Sequence, residues 1–289
     1  MGAQPQRGMD AEAGARAAPA EVPSAEAHSE LDLLRGHDIV RLLAPNPGPL
    51  TLSGTNTWVV GRRPAWVVDP GPMLDVHLER LLAAIDARDG LGGVVLTHDH
   101  SDHSEGVGAL LEARPAPLAA GRGDADVTLE EDLRFGPFQA VRTPGHAPDH
   151  FALIANGACF TGDAVLGDGS VFISPYRGAM SGYLHGLQRL RSRGDFDVLC
   201  PGHGPPVWEA RAKLDEYIGH RIDRENRLMV ALSDGRRSAA ELLDAAWPEV
   251  PEAMRPLASV TLAAHLDKLA DDGVLPSGVE RPTFEGVVW

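Results

Sequence analysis

Four short segments concentrate the side chains able to do metal chemistry. THDHSDH at residues 97–103 crowds His98, His100, Asp102 and His103 into seven positions. Downstream, TPGHAPDH supplies His146, TGD supplies Asp163 and PGHG supplies His203. Neutral imidazole and carboxylate are ligands for Zn²⁺, Fe or Mn²⁺. A single His-rich loop can be a polar turn. Here the three later loops each follow an apolar run and carry Gly145, Gly162 or Gly202 beside the donor, so the backbone can turn tightly there. Two metal ions account for the set: one held by His98, His100 and His146, the other by Asp102, His103 and His203, with Asp163 bridging. Such a pair lowers the pKa of a shared water, so that hydroxide attacks a carbonyl or phosphoryl centre, and Asp102 is placed to orient it. The expected chemistry is hydrolysis without a covalent enzyme intermediate. The chain has no GxSxG elbow to offer a serine route.

These loops need strands to hold them. IVRLLAP, TNTWVVG and AWVVDPG read as successive strands between Gly/Pro turns, and MLDVHLERLLAAIDAR has the apolar spacing of a helix. GVVLT is a short buried strand leading into the opening motif. SEGVGALLEAR is a helix after it, with Ser104 as its N-cap. FQAVRTPGH reads as strand and loop, and DHFALIANGACFTGD as a hairpin with an Asn156-Gly157 turn. A helix is expected over 180–194, and DVLCPGHG is another strand feeding a His-bearing loop. From residue 209 the pattern is helical: a long amphipathic helix over 209–232 with Leu214, Ile218 and Ile222 on one side, then two further helices and a small β hairpin. That is the order of a winged-helix domain. We therefore expect an N-terminal tail over 1–36 rich in Ala, Pro, Gly and Glu and disordered, a catalytic domain over 37–210 and a C-terminal domain over 211–289.

The chain of 289 residues has a formal net charge of −15, with Lys213 and Lys268 its only lysines. That balance argues against nonspecific phosphate binding, and no duplex DNA partner is expected. Cys159 and Cys200 form no CxxC pair, and Cys200 reads as a core thiol rather than a ligand. No apolar run approaches membrane-spanning length, and residues 1–30 lack the apolar core of an export signal. A cytoplasmic protein is expected.

HDHSDH, TPGHAPDH, TGDAVLGDG and CPGHGP, in that order, resemble the metallo-β-lactamase superfamily. LSGTNTWVVG, GHAPDHFAL and YIGHRIDRENRL are similar to one branch of it, β-lactamase-like protein 2. The resemblance implies an α/β (α+β) fold, an αββα sandwich with a small C-terminal winged-helix-like domain. It implies the seven ligands named above and two zinc ions per chain, with Fe or Mn as other occupants. His150 matches a family histidine that touches substrate or steadies the site. Asn56 and Thr55 lie in a GTNT turn, where Asn56 is a candidate substrate contact and a structural role is the simpler reading. Asp99 and Ser101 fill variable positions.

The resemblance leaves the substrate open between a small ester, an acyl thioester and a phosphodiester. Animal members of the branch are single-strand endoribonucleases; other relatives are glyoxalase II-like enzymes or acyl thioesterases. Against RNA stand the acidic charge and a recognition-helix position, ASVTLAAHLDKLADDG, ending in aspartates. The Arg-bearing pieces, HRIDRENR among them, could line a groove for phosphates or be solvated faces paired with Asp223 and Glu225. A non-enzymatic reading is a metal-sensing regulator that binds DNA; the complete ligand set speaks against it. The lack of an export signal speaks against a β-lactamase.

Overall fold

The computed structural model describes residue 34, residues 36–121 and residues 123–284. The expected disordered tail lies outside the described residues except for Leu34 and Gly36. Leu34 departs from that expectation, since it is buried in the core.

Two sheets are formed. The first holds β1 (Ile39–Leu43), β2 (Asn56–Val60), β3 (Ala65–Val68), β4 (Leu91–Val95), β5 (Leu118–Ala120) and β6 (Val127–Thr128) in sequential order. β1–β3 pair antiparallel, and β3–β6 pair parallel. The second holds β7 (Arg134–Phe135), β8 (Phe138–Arg142), β9 (Phe151–Ala155), β10 (Ala158–Gly162) and β11 (Val198–Pro201), ordered β11-β10-β9-β8-β7. The Asn156-Gly157 turn joins β9 to β10, with both residues at positive φ (52° and 75°) as a two-residue hairpin requires.

Alternation along the strands builds the layers. Trp58, Val60, Leu153, Phe160, Val198 and Cys200 point between the sheets. Val59, Val67 and Val94 point outward from the first sheet onto α1 (Asp75–Asp86), α2 being the one-turn helix Ser101–Ser104, and α3 (Val107–Ala113). Ala152, Ile154, Cys159 and Leu199 point outward from the second sheet onto α4 (Ala179–Ser192) and α5 (Ala210–Ser233). This is the four-layer αββα arrangement expected. Both cysteines are buried and unbridged, and burial pushes the Cys200 thiol well up, as a core thiol requires.

Three expectations change. Ser104 is not an N-cap: it closes α2, its hydroxyl donating to the His100 carbonyl (3.0 Å), and α3 starts afresh after Gly106. The buried stripe of α5 runs through Leu214, Tyr217, Arg221, Arg224, Leu228 and Ala231, while Ile222 is 47% exposed. Arg221 and Arg224 replace apolar residues in the stripe because each guanidinium finds carbonyl partners inside: Val171 for Arg221 (2.5 Å) and Ala246 for Arg224. Finally, α6 (Ala239–Ala246) and α7 (Arg255–Asp271) follow as expected, but of the hairpin expected after them residues 274–284 form no strand and residues 285–289 lie outside the described residues. Pro276 and Pro282 lack ladder donors. Glu280 is tied instead to the start of α6: its N–H donates to Arg237 O (2.8 Å) and its carboxylate accepts from Ala239 N (3.0 Å).

α5 serves both halves of the chain. Leu214 and Tyr217 pack with Tyr183 and Leu187 on the sandwich, whereas Leu228, Ala231 and Leu232 form a separate core with α6 and α7. Arg221, between them, sits over the Tyr183 ring (5.4 Å) and also reaches Ser170 Oγ (3.2 Å). Arg221→Ala removes buried packing and charged hydrogen bonds together. It should cost about 3 kcal/mol, read as a lower urea midpoint.

Candidate metal centre

All four ligand loops leave the same end of the sandwich. β4 runs out through Thr97 into His98 and His100, and the short helix α2 then presents Asp102 and His103. β8 leads to His146, β10 to Asp163 and β11 to His203. Two glycines permit the approach. A Cβ at Gly202 would lie 2.3 Å from Asp163 Oδ1 and 2.6 Å from His103 Cε1. One at Gly162 would lie 2.4 Å from Thr97 Oγ1, in a backbone with φ of 46°.

The outer nitrogen of each imidazole fixes what the inner one offers. Thr97 Oγ1 donates to Asp69 Oδ2 (2.7 Å), so it can only accept from His98 Nδ1 (3.0 Å). His103 Nδ1 donates to Asp69 Oδ2 (2.9 Å), His146 Nδ1 to Phe172 O (3.4 Å) and His203 Nδ1 to Gly54 O (3.3 Å). In every case Nε2 is the atom turned inward. His98 Nε2 and His146 Nε2 both stand 3.0 Å from His100 Nδ1, which carries at most one proton and can donate to only one of them. His103 Nε2 and Asp163 Oδ1 are buried without a hydrogen-bond partner. His203 Nε2 lies 3.3 Å from both Asp102 Oδ2 and Asp163 Oδ2. Inward lone pairs and orphaned buried acceptors at one point are the donor set a cation satisfies. The ligand atoms fall into overlapping groups, each within 4.8 Å: His98, His100 and His146; His98, His103 and Asp163; Asp102, His103 and His203.

Electrostatics divides the cluster. Burial pushes the His98 imidazole well below its usual range, and brings His146 down to about 4 against the pull of Asp163. Burial also opposes charge on His103 and His203. There the carboxylates outweigh it: Asp163 and Asp69 hold His103 up to about 9, and Asp163 and Asp102 hold His203 up to about 10. Asp102, despite burial, is held down to about 2 by His203 and His103. Without metal, two imidazoles carry protons where a cation would otherwise bind.

The two expected substrate contacts lie behind the site. Asn56 is fully buried: its amide donates to Pro201 O (2.9 Å) and Gly204 O (2.8 Å), and its oxygen accepts from Arg41 Nε (2.7 Å). His150 is also fully buried, joined to Thr143 Oγ1 (2.8 Å), accepting from Asp163 N (3.1 Å) and stacked on His98 (5.0 Å between centroids). Neither is among the residues lining the cavity that opens onto the candidate ligands; both hold ligand loops from behind. Thr55 does more than turn the chain, since its hydroxyl donates to Asp102 Oδ2 (3.0 Å). Asp99 and Ser101 are exposed, as spacers should be.

Sequence reasoning missed Asp69, which accepts from Thr97 N (2.8 Å), Thr97 Oγ1 and His103 Nδ1. Its signal was an Asp-Pro-Gly directly after a strand. A cavity of about 810 Å³ opens onto His100, Asp102, His146, Asp163 and His203. Its far side comes from the C-terminal helices, with Trp247, Val250, Met254, Leu257 and Ala258, and Leu50 and Leu52 extend the apolar lining.

Comparison with known proteins agrees with this geometry. Residues 50–141 match the metallo-β-lactamase superfamily and residues 238–275 the β-lactamase-associated winged helix domain. The chain is 30% identical to the β-lactamase-like protein 2 homolog of Caenorhabditis elegans, over 87% of this chain and 89% of that one. It is 33% identical to an atrochrysone carboxyl ACP thioesterase of Aspergillus chevalieri, over 70% of this chain and 68% of that one. In fold it is similar to a β-lactamase domain protein from Burkholderia ambifaria (TM-score 0.70, 21% identity, covering 82% of this chain and 86% of that one).

Two outcomes follow from the cluster. Asp69→Asn tolerates the left-handed backbone (φ 51°) but weakens the acceptor that orients His103. Zinc affinity should fall about 10–100-fold in chelator competition while the circular dichroism spectrum is retained. For the metal-free protein, His103 and His203 have folded pKa values of about 9 and about 10, above the ~6.5 of an unfolded histidine. Their stabilisation is therefore complete below about pH 6.5 and lost as pH rises through those values. Thermal melting of the chelated protein should fall across that window, and zinc added near pH 7.5 should release about two protons, read by calorimetry in buffers of different ionisation enthalpy.

Proposed function

The chain belongs to the metallo-β-lactamase superfamily, whose members are generally hydrolases, and to its β-lactamase-like protein 2 group, and from that premise we propose that it is a dinuclear zinc hydrolase of acyl thioesters or esters. His98, His100 and His146 would hold one ion; Asp102, His103 and His203 the other, with Asp163 between them. Iron or manganese suits the same donors. Bound metal would acidify a water and polarise the scissile carbonyl. The chain's own part is placement. Asp69 and Thr97 fix the His103 and His98 rings, Thr55 steadies Asp102, and Asp102 sits on the open side of the cluster, where it can orient the attacking water.

The observation that carries the substrate class is the cavity wall. The side facing the ligands is mostly apolar, through Leu50, Leu52, Val171, Phe172, Trp247, Val250, Met254 and Leu257. Its arginines are already engaged: Arg221 on Val171 O and Ser170, Arg224 on Ala246 O, His220 and Glu249. A groove for single-strand RNA needs uncommitted cations along a track; an acyl group needs the apolar surface that is there. The Aspergillus relative named as a thioesterase supports the same reading. Among the described residues no helix is long and apolar enough to cross a membrane, and we place the protein in the cytoplasm, acting on a small molecule or a carrier-borne acyl group.

Octanoyl thioesters and unstructured RNA should be assayed side by side with the zinc-loaded protein. Thioester hydrolysis is expected, lost on chelation and reduced on the order of a thousandfold by Asp102→Ala or Asp163→Ala. Met254→Trp, which fills the acyl side of the cavity, should shift preference toward acetyl thioesters by about tenfold. RNA cleavage with no thioester hydrolysis would overturn the acyl reading, and activity that survives both aspartate substitutions would overturn the two-metal mechanism.

A further inference from the structure

The metal-facing histidines have a second side. His100 and His146 line the large cavity, and they also form one wall of a separate recess of about 330 Å³. The rest of that recess is Ala147, Pro148 and Asp149 from the loop after His146, with Ser174, Pro175 and Tyr176 from the segment leading into α4. Its volume lies within the ~300–1,000 Å³ usual for small-molecule sites. None of the C-terminal helices contributes to it.

We propose that this recess is the leaving-group subsite: the acyl chain occupies the large cavity, the scissile carbonyl sits over His100 and His146, and the departing arm lies along Asp149 and Tyr176. The inference rests on the hydrolytic reading above. Two cavities meeting at one pair of ligand residues give a substrate two directions away from the reacting atom, and hydrolysis needs both. The C–S bond breaks as the water oxygen bonds the carbonyl carbon. The products are a carboxylate in the large cavity and a thiol leaving through the recess; of the two water protons, one is retained by the thiol and one goes to solvent.

The lining states the chemistry of the arm. Beyond the two histidines, the recess has one charged side chain among the described residues, the buried carboxylate of Asp149. A carboxylate has several lone-pair sites, and those turned to the recess accept from amide N–H or hydroxyl donors. Pro148 and Pro175 offer apolar faces, and burial pushes the Tyr176 phenol up to about 12, so it remains a neutral hydroxyl. The fitting arm is a neutral chain carrying amide N–H or hydroxyl groups and ending in sulfur. Pro148 is exposed at the rim, so a longer or carrier-attached arm can continue into solvent.

The test uses three octanoyl thioesters sharing one acyl group, made with ethanethiol, N-acetylcysteamine and pantetheine, and titration calorimetry of the zinc-loaded protein with S-methylpantetheine, which has the arm but no acyl group or free thiol. For the wild type, kcat/KM should rise about tenfold or more from the ethanethiol to the pantetheine ester, mostly through KM, and S-methylpantetheine should bind. Tyr176→Trp, which fills the recess, should reduce that selectivity ratio to about threefold or less and weaken S-methylpantetheine binding about tenfold. Asp149→Asn, a conservative change of shape, should reduce the same ratio in the same direction. The inference is overturned if the wild type does not discriminate among the arms, or if both variants slow all three esters equally. If the wild type hydrolyses none of the thioesters, the hydrolytic reading fails, and the recess assignment fails with it.

Discussion

Imidazole nitrogens and carboxylate oxygens turned toward one another in a buried space repel unless something positive lies between them. His103 Nε2 and Asp163 Oδ1 lie there without hydrogen bonds, and three histidine nitrogens meet at 3.0 Å spacings. The rest of the sandwich enforces this arrangement. The outer nitrogens are held from behind by Asp69, Phe172 O and Gly54 O. Gly202 and Gly162 let the loops close, and the His150 ring braces both His98 and the Asp163 backbone. Without metal, protons on His103 and His203 offset the carboxylate charge.

The ligand loops are legible in sequence because each is a compact signal: a donor and a glycine at the end of an apolar strand. The alternation of the strands is equally plain, and so are the hairpin at Asn156-Gly157 and the long C-terminal helix. What escapes is whatever depends on contact between segments distant in sequence. Asp69 reads as part of a turn. Its partners Thr97 and His103 are 28 and 34 positions away, and only the parallel pairing of β3 with β4 brings them together. His150 and Asn56 carry the right chemistry for touching substrate, but polarity alone does not reveal that their hydrogen bonds are spent on the scaffold. Arg221 and Arg224 mislead a binary pattern in the same way. Arginine on a helix reads as solvent-facing until a buried carbonyl is found within its reach.

The C-terminal helices take part in the site although they supply none of the candidate ligands. α5 is continuous from the sandwich into the second core, so the α6–α7 segment that bears Trp247, Met254 and Leu257 packs against the same helix that covers the second sheet. Position relative to the metal loops is then set by packing and by the Ile173 N–H to Thr261 hydroxyl bond (3.2 Å) rather than by a linker. In this protein the winged-helix-like domain forms one wall of the cavity that opens onto the candidate ligands.

The central claim is that two metal ions occupy one cluster in two distinguishable ligand sets. Anomalous diffraction at the zinc edge, from crystals of the protein loaded with zinc, tests it most directly. Two peaks are expected, one among His98, His100 and His146 and one among Asp102, His103 and His203, with Asp163 reaching both. One peak, or none between these loops, would contradict the account.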